Sequence, residues 1–570
     1  MDHQFLLIAA AALAIMITAS VFSRRTGLAA PLLLVGLGIA ASYLPGTPTI
    51  SVEPELVLAG VLPPLLYASA VQLPVMDVQR NLGIIAWLSV VLVIVSALAI
   101  GAAVHLLFPS IPFALAVALG AVVSPTDAVA ATAIGHRVGV PPRLMSVLEG
   151  ESLVNDASAL VLLRTAVAVI GTTAHFSLLA TVGDFAWAVA GALLVGIGVG
   201  WGTVVLRARL DDPVLNTTLS FAVPFLAYFP AEEVHASGVL AVVAAALVTG
   251  TLGGKRFSAR DRQTQATTWT TVNFILESGV FLAMGYQLPE LVDAAREETT
   301  LGEVTGIVLV CLALLVAIRF VGLAWPAVTG GVGHAGKTEE FTARLDEFEQ
   351  RLETMEPATT REVRGLHWAR KRLARGRAEV DFELREPITR RGLLVIAWSG
   401  MRGVVTVAAA QTIPVDTPHR STVVVAAYFV ALLTLVGFGL TLPALIRAMA
   451  FPEEDPEDQR DATGALMRRV GSSAIDRLGP LEEQTIAGEP LDPEALALVR
   501  DQVLPRIVAG ARAATAPAAD TWSQVAVLQQ RYLDAMRDAL GAERSIGAYS
   551  SATYREVEAF LDEIERHVGR

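Results

Sequence analysis

The chain has 570 residues, of which 53% are hydrophobic and only 17% are charged, and its mean hydropathy is +0.55. This composition excludes a soluble globular protein, because apolar windows of about 18 residues or more recur from the N-terminus to about residue 446. The formal net charge is -12, but residues 451–570 hold 22 acidic and 13 basic residues, so the acidity describes the tail and suggests no nucleic-acid partner.

The apolar windows predict an all-α polytopic membrane protein with thirteen transmembrane helices. The predicted spans cover approximately residues 5–22, 27–44, 55–73, 82–108, 111–134, 143–171, 178–206, 213–230, 236–253, 265–288, 302–328, 391–413 and 420–447.

The distribution of basic residues predicts the orientation of these spans. The first span follows a stretch without Lys or Arg and precedes Arg24 and Arg25, the reverse of a signal peptide's charge order, so we expect it to be retained with its N-terminus outside. The predicted inner short loops contain eleven Lys and Arg residues, whereas the outer ones contain only Arg296 and Arg420. The C-terminus is therefore predicted to be cytoplasmic.

Two parts of the chain are predicted to lie outside the bilayer. Residues 1–450 are predicted to form the transmembrane domain, which includes a charged cytosolic loop at 329–390. Residues 451–570 show amphipathic spacing and are predicted to form a cytosolic helical domain. We expect this domain to be either regulatory or a dimer-supporting or solubilising appendage.

The sixth predicted span is the most polar one. It carries Glu149, Glu151, Ser152, Asn155 and Asp156 within about two helical turns. Ser152, Asn155 and Asp156 have the i, i+3, i+4 spacing that places them on one face, and Glu151 borders that face. Because an ionisable group at mid-membrane costs roughly 2.5 to 3.5 kcal/mol, this set indicates a partner or a function.

The fifth predicted span contains Asp127 two residues after Pro125, in the stretch VSPTDAVAATAI. Proline removes a backbone donor and clashes with the preceding turn, which frees carbonyl groups near Ser124 and Thr126. Since hard cations prefer oxygen ligands, the freed carbonyls and the polar side chains of the two spans predict a site for a small monovalent cation. An ordinary proline kink with an internally hydrogen-bonded Asp127 is the alternative.

The twelfth predicted span places Arg402 between Gly400 and Gly403, and these glycines permit a helix break. If the seventh span is a connector, the first six and last six spans form two halves, and the two interrupted spans occupy matching positions. Such a pair points to the midplane site of a transporter with two inverted six-helix repeats and crossed discontinuous helices. A buried arginine stays charged, so it is expected to pair with Glu151, or otherwise with Glu149.

Other charges in the predicted spans have weaker signals. Asn273 and Glu277 share a face at i, i+4, which suits either a residue on the ion path or a buried hydrogen-bonded pair. For Arg164 and Arg319, snorkelling or structural pairing is expected. The only cysteine, Cys311, excludes an intrachain disulfide and a cysteine metal cage.

Five motifs together resemble the monovalent cation:proton antiporters, specifically the electroneutral NhaP/NHE branch. They are PTDAVA at 125–130, EGESLVND at 149–156, PFLAYFPAEEVHASGVLAVVAAALVTG at 224–250, ESGVFLAMG at 277–285 and GMRGVV at 400–405. With the thirteen predicted spans, the resemblance covers nearly all of residues 1–446.

The resemblance implies a role for each motif residue. Asp156 would carry the cation and the proton, Asn155 would be its neighbour, and Ser152 would supply a further oxygen. The interrupted fifth helix would contribute Thr126 and Asp127, Glu151 would pair with Arg402, and Glu277 would line the path or support the site, with Asn273 and Glu149 beside it. The family's usual TDP is TDA here, with Ala128 in place of the proline, so the positions of the carbonyl ligands are open.

The predicted mechanism is competition of a cation and a proton for one buried carboxylate. With Glu151 neutralised by an arginine, one cation should move against one proton without net current. If Asp127 also changed protonation, two protons would move and transport would be electrogenic. No cofactor and no enzymatic activity are expected.

The predicted function is exchange of Na+, or else Li+ or K+, for H+ in pH and Na+ homeostasis. The resemblance implies a homodimer in a bacterial inner membrane. The alternatives are a K+/H+ antiporter, a cation channel and a sodium-coupled solute symporter. A channel would need a filter-like repeat, which this sequence does not show. A symporter would need further polar residues or a pocket for its organic substrate.

Overall fold

The chain divides into two compact units, Met1–Phe451 and Pro452–Arg570. The computed structural model describes residues 3–26, 28–44, 56–73, 75–127, 131–132, 134–135, 138–170, 178–328, 335–355 and 360–451 of the first unit. In the second unit it describes residues 483, 485–486 and 489–490, where Thr485–Ile486 and Glu489–Pro490 form a short antiparallel strand pair. The predicted helical domain at 451–570 otherwise lies outside the described residues.

The described part of the first unit is helical. In chain order the helices are α1 (His3–Thr26), α2 (Ala30–Ser42), α3 (Leu56–Val71), α4 (Val75–Arg80), α5 (Leu82–Leu107), α6 (Phe113–Val123), α7 (Pro142–Val169), α8 (Leu178–Arg207), α9 (Pro213–Ser220), α10 (Ala222–Glu233), α11 (Gly238–Arg256), α12 (Ala259–Glu298), α13 (Leu301–Val328), α14 (Ala335–Glu353), α15 (Thr360–Arg385), α16 (Arg390–Trp398), α17 (Val404–Gln411) and α18 (Arg420–Met449).

Seven helical segments of the described residues are long and apolar enough to cross a membrane, judged by length and composition. Four shorter apolar helices, α2, α3, α6 and most of α11, accompany them. This confirms the helical, multi-span architecture in outline. The count of thirteen spans and the two inverted repeats remain predictions.

The structure confirms that the fifth and twelfth predicted spans are interrupted. α6 ends at Val123, residues 124–127 are not helical, and helical backbone is present again at 131–132 and 134–135. Likewise α16 ends at Trp398 and α17 begins only at Val404. The proline of one segment and the glycines of the other therefore mark the breaks correctly.

Helix α12 extends well beyond its predicted span of 265–288. It begins at a capping box in which the Ser258 side chain and the Asp261 carboxylate each accept a hydrogen bond from the other residue's backbone N–H. This polar first turn lies outside the apolar window, which is why hydropathy alone placed the helix start too late.

Small side chains allow the helices around the break in α6 to pack closely. All but the first two residues of α6 are buried, and it packs between α5 and α7. A Cβ at Gly120 would lie 2.3 Å from the Ala97 carbonyl oxygen, so the α5 and α6 backbones meet at a distance that only glycine permits. The interrupted segment is therefore held inside the helix bundle.

Helices α14 and α15 form a charged hairpin, which we call the α14–α15 hairpin, in the predicted loop 329–390. Its two helices pair through Arg377, whose Nη2 contacts both Asp346 and Glu349. Leu345 packs against Gly376 at the same interface. The charged sequence thus forms a helix pair rather than an unstructured loop.

Arg143 at the start of α7 holds the end of the hairpin. Its Nη2 donates to Glu383 at 2.7 Å, its Nη1 donates to the Glu386 carbonyl at 2.5 Å, and its Nε donates to Asn81 Oδ1 at 3.1 Å. The guanidinium also lies 5.1 Å from the Phe382 ring centroid. One buried side chain therefore connects α7, the turn before α5 and the end of α15.

Replacement of Arg143 by alanine should destabilise the protein. It removes the hydrogen bonds that Arg143 donates to the buried Asn81 amide oxygen and to the Glu386 carbonyl, so we expect the free energy of unfolding to fall by about 2 kcal/mol. Thermal unfolding in detergent measures this. Arg344→Ala is the control, since the Arg344–Glu340 pair is exposed and should contribute less than about 0.5 kcal/mol. Equal effects of the two variants would contradict a stabilising role for the Arg143 contacts.

Candidate functional site

The two interrupted segments contact each other. The Asp127 backbone N–H donates to the Met401 carbonyl at 2.7 Å, which joins one break directly to the other. A Cβ at Gly403 would lie 1.8 Å from Asp127 Oδ2, so the Asp127 carboxyl group rests against the residue that precedes α17. This contact requires glycine at position 403.

Two buried arginines satisfy carbonyl groups that the breaks release. Arg402 Nε donates to the Val123 carbonyl at the end of α6 at 2.9 Å, and its Nη1 donates to the Gly400 carbonyl. Arg319 Nη2 and Nε donate to the carbonyls of Ile396 (3.0 Å) and Ala397 (3.1 Å) at the end of α16. Each guanidinium thus lies at a helix C-terminus, where unpaired carbonyls and the helix dipole favour a positive charge.

Glu151 forms its ion pair with Arg319, and the predicted pairing with Arg402 is wrong. Both terminal guanidinium nitrogens of Arg319 reach the carboxylate, Nη1 at 2.6 Å from Oε1 and Nη2 at 3.0 Å from Oε2, and the Arg319 and Glu151 side chains are 6% and 1% exposed. The guanidinium of Arg402 instead bonds to main-chain carbonyls. The prediction failed because it assumed that a buried arginine needs a carboxylate, whereas released carbonyls also stabilise the charge.

Thr126 and Asn155 connect this ion pair to the break in α6. Asn155 Nδ2 donates to Thr126 Oγ1 at 2.9 Å and to the Thr126 carbonyl at 3.2 Å. Thr126 Oγ1 in turn donates to Glu151 Oε1 at 2.8 Å. The three side chains form a buried chain of hydrogen bonds with a defined direction.

A cavity of about 890 Å³ lies beside this break, and Thr126, Glu151 and Asn155 do not line it. Among the predicted site residues, its walls include Asp127, Glu149, Ser152, Asp156, Asn273 and Glu277. Asp156 is 7% exposed and makes no hydrogen bond or ion pair with any residue that the structure describes. The Asp156 carboxylate is therefore available to bind a ligand that enters the cavity.

The predicted ligand residues separate into two groups. Asp127, Ser152 and Asp156 line the cavity, whereas Thr126 and Asn155 do not and belong to the hydrogen-bond chain behind it. The structure therefore brings all five together but gives only three of them direct access to the cavity.

Asn273 and Glu277 form a hydrogen-bonded pair in the wall of the cavity. Asn273 Nδ2 donates to Glu277 Oε2 at 3.2 Å, as the i, i+4 spacing predicts. Both residues also line the cavity, so a hydrogen-bonded pair and a position beside an ion path are compatible with each other.

Arg164 and Arg319 both make ion pairs, so of the two expected outcomes, snorkelling and structural pairing, the structure shows pairing. Arg164 Nη1 contacts Glu232 Oε2 at 2.8 Å, and Glu232 Oε1 accepts from the Gly238 backbone N–H at 2.8 Å. Sequence analysis did not identify Arg319 as the partner of Glu151, although an arginine within an apolar span was a usable signal. Nothing in the sequence pointed to Thr434, whose hydroxyl accepts from the Arg402 backbone N–H at 3.2 Å.

Two helix breaks contact each other beside the cavity, and the Asp156 carboxylate in the cavity wall has no partner among the described residues. This arrangement is what an ion exchanger requires. The family model of the transmembrane sodium/hydrogen exchangers matches residues 9–448, and the chain belongs to this family.

Similar proteins agree with this membership. An uncharacterised Na+/H+ exchanger of Mycobacterium tuberculosis is 27% identical over 569 residues, covering 98% of this chain and 95% of that protein. A sodium, potassium, lithium and rubidium/H+ antiporter of Bacillus pumilus is 31% identical over 432 residues, covering 73% of this chain and 57% of that protein. The structure of the sodium proton antiporter MjNhaP1 from Methanocaldococcus jannaschii superimposes with a TM-score of 0.56 at 15% identity, covering 78% of this chain and 99% of that one, and so shares the fold.

Double-mutant cycles should distinguish the two arginines as partners of Glu151. Glu151→Gln, Arg319→Gln and their combination should show a coupling free energy of about 2–4 kcal/mol, because each single variant leaves a buried charge uncompensated. The cycle of Glu151→Gln with Arg402→Gln should give a coupling at least 1 kcal/mol smaller. Unfolding in detergent measures both, and a larger coupling to Arg402 would reject the observed pairing.

Proposed function

We propose that this protein exchanges Na+ for H+ across the membrane, with Asp156 as the group that binds either ion. The observation that carries the proposal is the position of Asp156, which is almost fully buried, lines the cavity and has no partner among the described residues. A buried carboxylate in this situation is neutralised by a proton or by a cation. Because the two guests exclude each other, releasing one allows the other to bind.

Oxygen atoms at the cavity wall form the cation site. The side chains of Asp156, Asp127 and Ser152 provide hard ligands, with carbonyl groups of the interrupted segment completing the shell. Thr126 and Asn155 hold that segment in place through the chain of hydrogen bonds to Glu151. Glu149, Asn273 and Glu277 lie along the path.

Charge counting gives a stoichiometry of one cation for one proton. Glu151 is neutralised by Arg319, and Asp127 keeps one charge state through the cycle, since its carboxyl group lies at the N-terminus of α17. Asp156 is then the one carboxylate that changes, and transport carries no net charge.

Transport proceeds by alternating access in a molecule with thirteen spans and two inverted repeats. One helix bundle, which includes the crossed interrupted helices, moves against a second bundle that forms a homodimer. The N-terminus faces outward and the C-terminal domain faces the cytoplasm of a bacterial cell, where the protein supports pH and Na+ homeostasis.

K+/H+ exchange is the second candidate. Potassium, lithium and rubidium appear beside sodium in the name of the Bacillus pumilus relative. The same oxygen ligands serve all of these cations, and their ranking depends on small differences in site size.

Asp156→Asn should abolish exchange without unfolding the protein. The amide is similar in size but cannot carry a charge or take up the proton, so neither guest binds in exchange for the other. Proteoliposomes with an imposed pH gradient and an internal pH-sensitive dye should respond to NaCl with the parent and give less than about 1% of that rate with the variant. Parallel additions of LiCl and KCl rank the cations. Asp293→Asn, an exposed surface change, is the control, and full activity of Asp156→Asn would reject the site.

Exchange by the parent should be insensitive to membrane potential. Clamping the vesicles at zero or at about -100 mV should leave the initial rate of Na+-driven proton movement unchanged within error, since a net charge would add about 2.3 kcal/mol of driving force. A rate that follows the potential would show that a second carboxylate, with Asp127 the nearest candidate, changes protonation in each cycle.

A further inference from the structure

A second, much smaller space lies beside Glu151 and Asn155, and none of the residues that line it also lines the large cavity. Its volume is about 10 Å³, which is close to the minimum that holds one water molecule. Its polar walls are Ser96 from α5, Ser124 from the break in α6, Glu151 and Asn155 from α7, Arg319 from α13 and Arg402.

Two polar atoms around this space have unused hydrogen-bonding capacity. Asn155 is 1% exposed and its Oδ1 is buried without a partner, because its Nδ2 is directed at Thr126. Arg402 uses Nε and Nη1 for carbonyls, and among the described residues its Nη2 has no acceptor. Asn155 Oδ1 is an acceptor that is costly to bury unpaired, and Arg402 Nη2 is a charged donor.

The chemistry of the walls selects the occupant. The guanidinium groups of Arg402 and Arg319 exclude a cation, and the Glu151 carboxylate together with the unpaired Asn155 Oδ1 disfavours an anion. A molecule that accepts from one wall and donates to the other satisfies both, and the volume admits only a small one. The hydroxyls of Ser96 and Ser124 offer it further partners.

We propose that this space binds one water molecule through which Arg402 positions Asn155 for cation binding. Arg402 Nη2 donates to the water, and the water donates to Asn155 Oδ1. This fixes the amide with Nδ2 toward Thr126, since the reversed amide would place two acceptors, Asn155 Oδ1 and the Thr126 carbonyl, against each other. Arg402 is thus a positioning residue that acts through water and Asn155, not a direct partner of Glu151.

The water completes a directed chain of hydrogen bonds from Arg402 to Arg319. From Asn155 the chain continues to Thr126 Oγ1 and then to Glu151 Oε1, where Arg319 donates from the other side. Thr126 precedes Asp127 on the segment that lines the cavity, so the chain fixes a wall of the cation site from behind. The transport consequence rests on the proposed exchange function, whereas the water site itself does not.

Filling the space tests the proposal without altering a cavity residue. Ser96→Val adds methyl groups that displace the water and leave Asn155 Oδ1 and Arg402 Nη2 unsatisfied. We expect the apparent KM for the cation to rise about tenfold while the maximal rate falls less than threefold. Ser96→Ala keeps the space open and should raise the KM no more than threefold. Ser89→Val is the control, a buried change two turns earlier on α5 that does not line this space, and its KM should match the parent.

A density map of the intact parent protein provides the second measurement, because it does not depend on transport or on the folding of a variant. At a resolution that shows other buried waters, a peak should lie within hydrogen-bond distance of Asn155 Oδ1 and Arg402 Nη2. No peak there, or a folded Ser96→Val with the parent's KM, would overturn the proposal. A peak in a protein without exchange activity would instead support the water site and reject the proposed function.

Discussion

The contact between the two helix breaks is the constraint on which the site depends. Where a membrane helix is interrupted, its backbone groups lose their partners, and each unsatisfied group costs several kcal/mol in a setting without water. Asp127 N–H and the Met401 carbonyl satisfy each other across the two breaks, and Arg402 and Arg319 satisfy carbonyls at the ends of α6 and α16. The irregular backbone at 124–127 is therefore stable because a second irregular segment contacts it.

This arrangement separates structural charges from the charges at the cavity. Arg402 and Arg319 do not line the large cavity and are stabilised by carbonyls, helix C-termini and Glu151. The carboxyl groups of Asp127 and Asp156 lie on the cavity side. The two arginines therefore stabilise the interrupted helices and do not occupy the cavity.

The sequence predicted much of this because its signals were local. Pro125 and the glycines around Arg402 marked both breaks, and the spacing from Glu149 to Asp156 placed the polar residues on one helix. Pairing between distant elements was beyond such reasoning. Glu151 pairs with Arg319, 168 residues away, and not with Arg402. Arg402 instead donates to carbonyl groups that come within its reach only when two distant segments meet in the folded protein. The same limit explains why Thr126 and Asn155 were placed with the ligands, since sequence spacing does not show on which side of a helix the cavity opens.

The position of Cys311 has a practical consequence for the study of this molecule. It is the only cysteine in the chain, and its side chain is 0% exposed within the helix core. Water-soluble thiol reagents therefore have no native target to modify on the folded protein. Spectroscopic labels or crosslinkers attached to newly introduced cysteines will report on chosen positions alone, in an otherwise unaltered sequence.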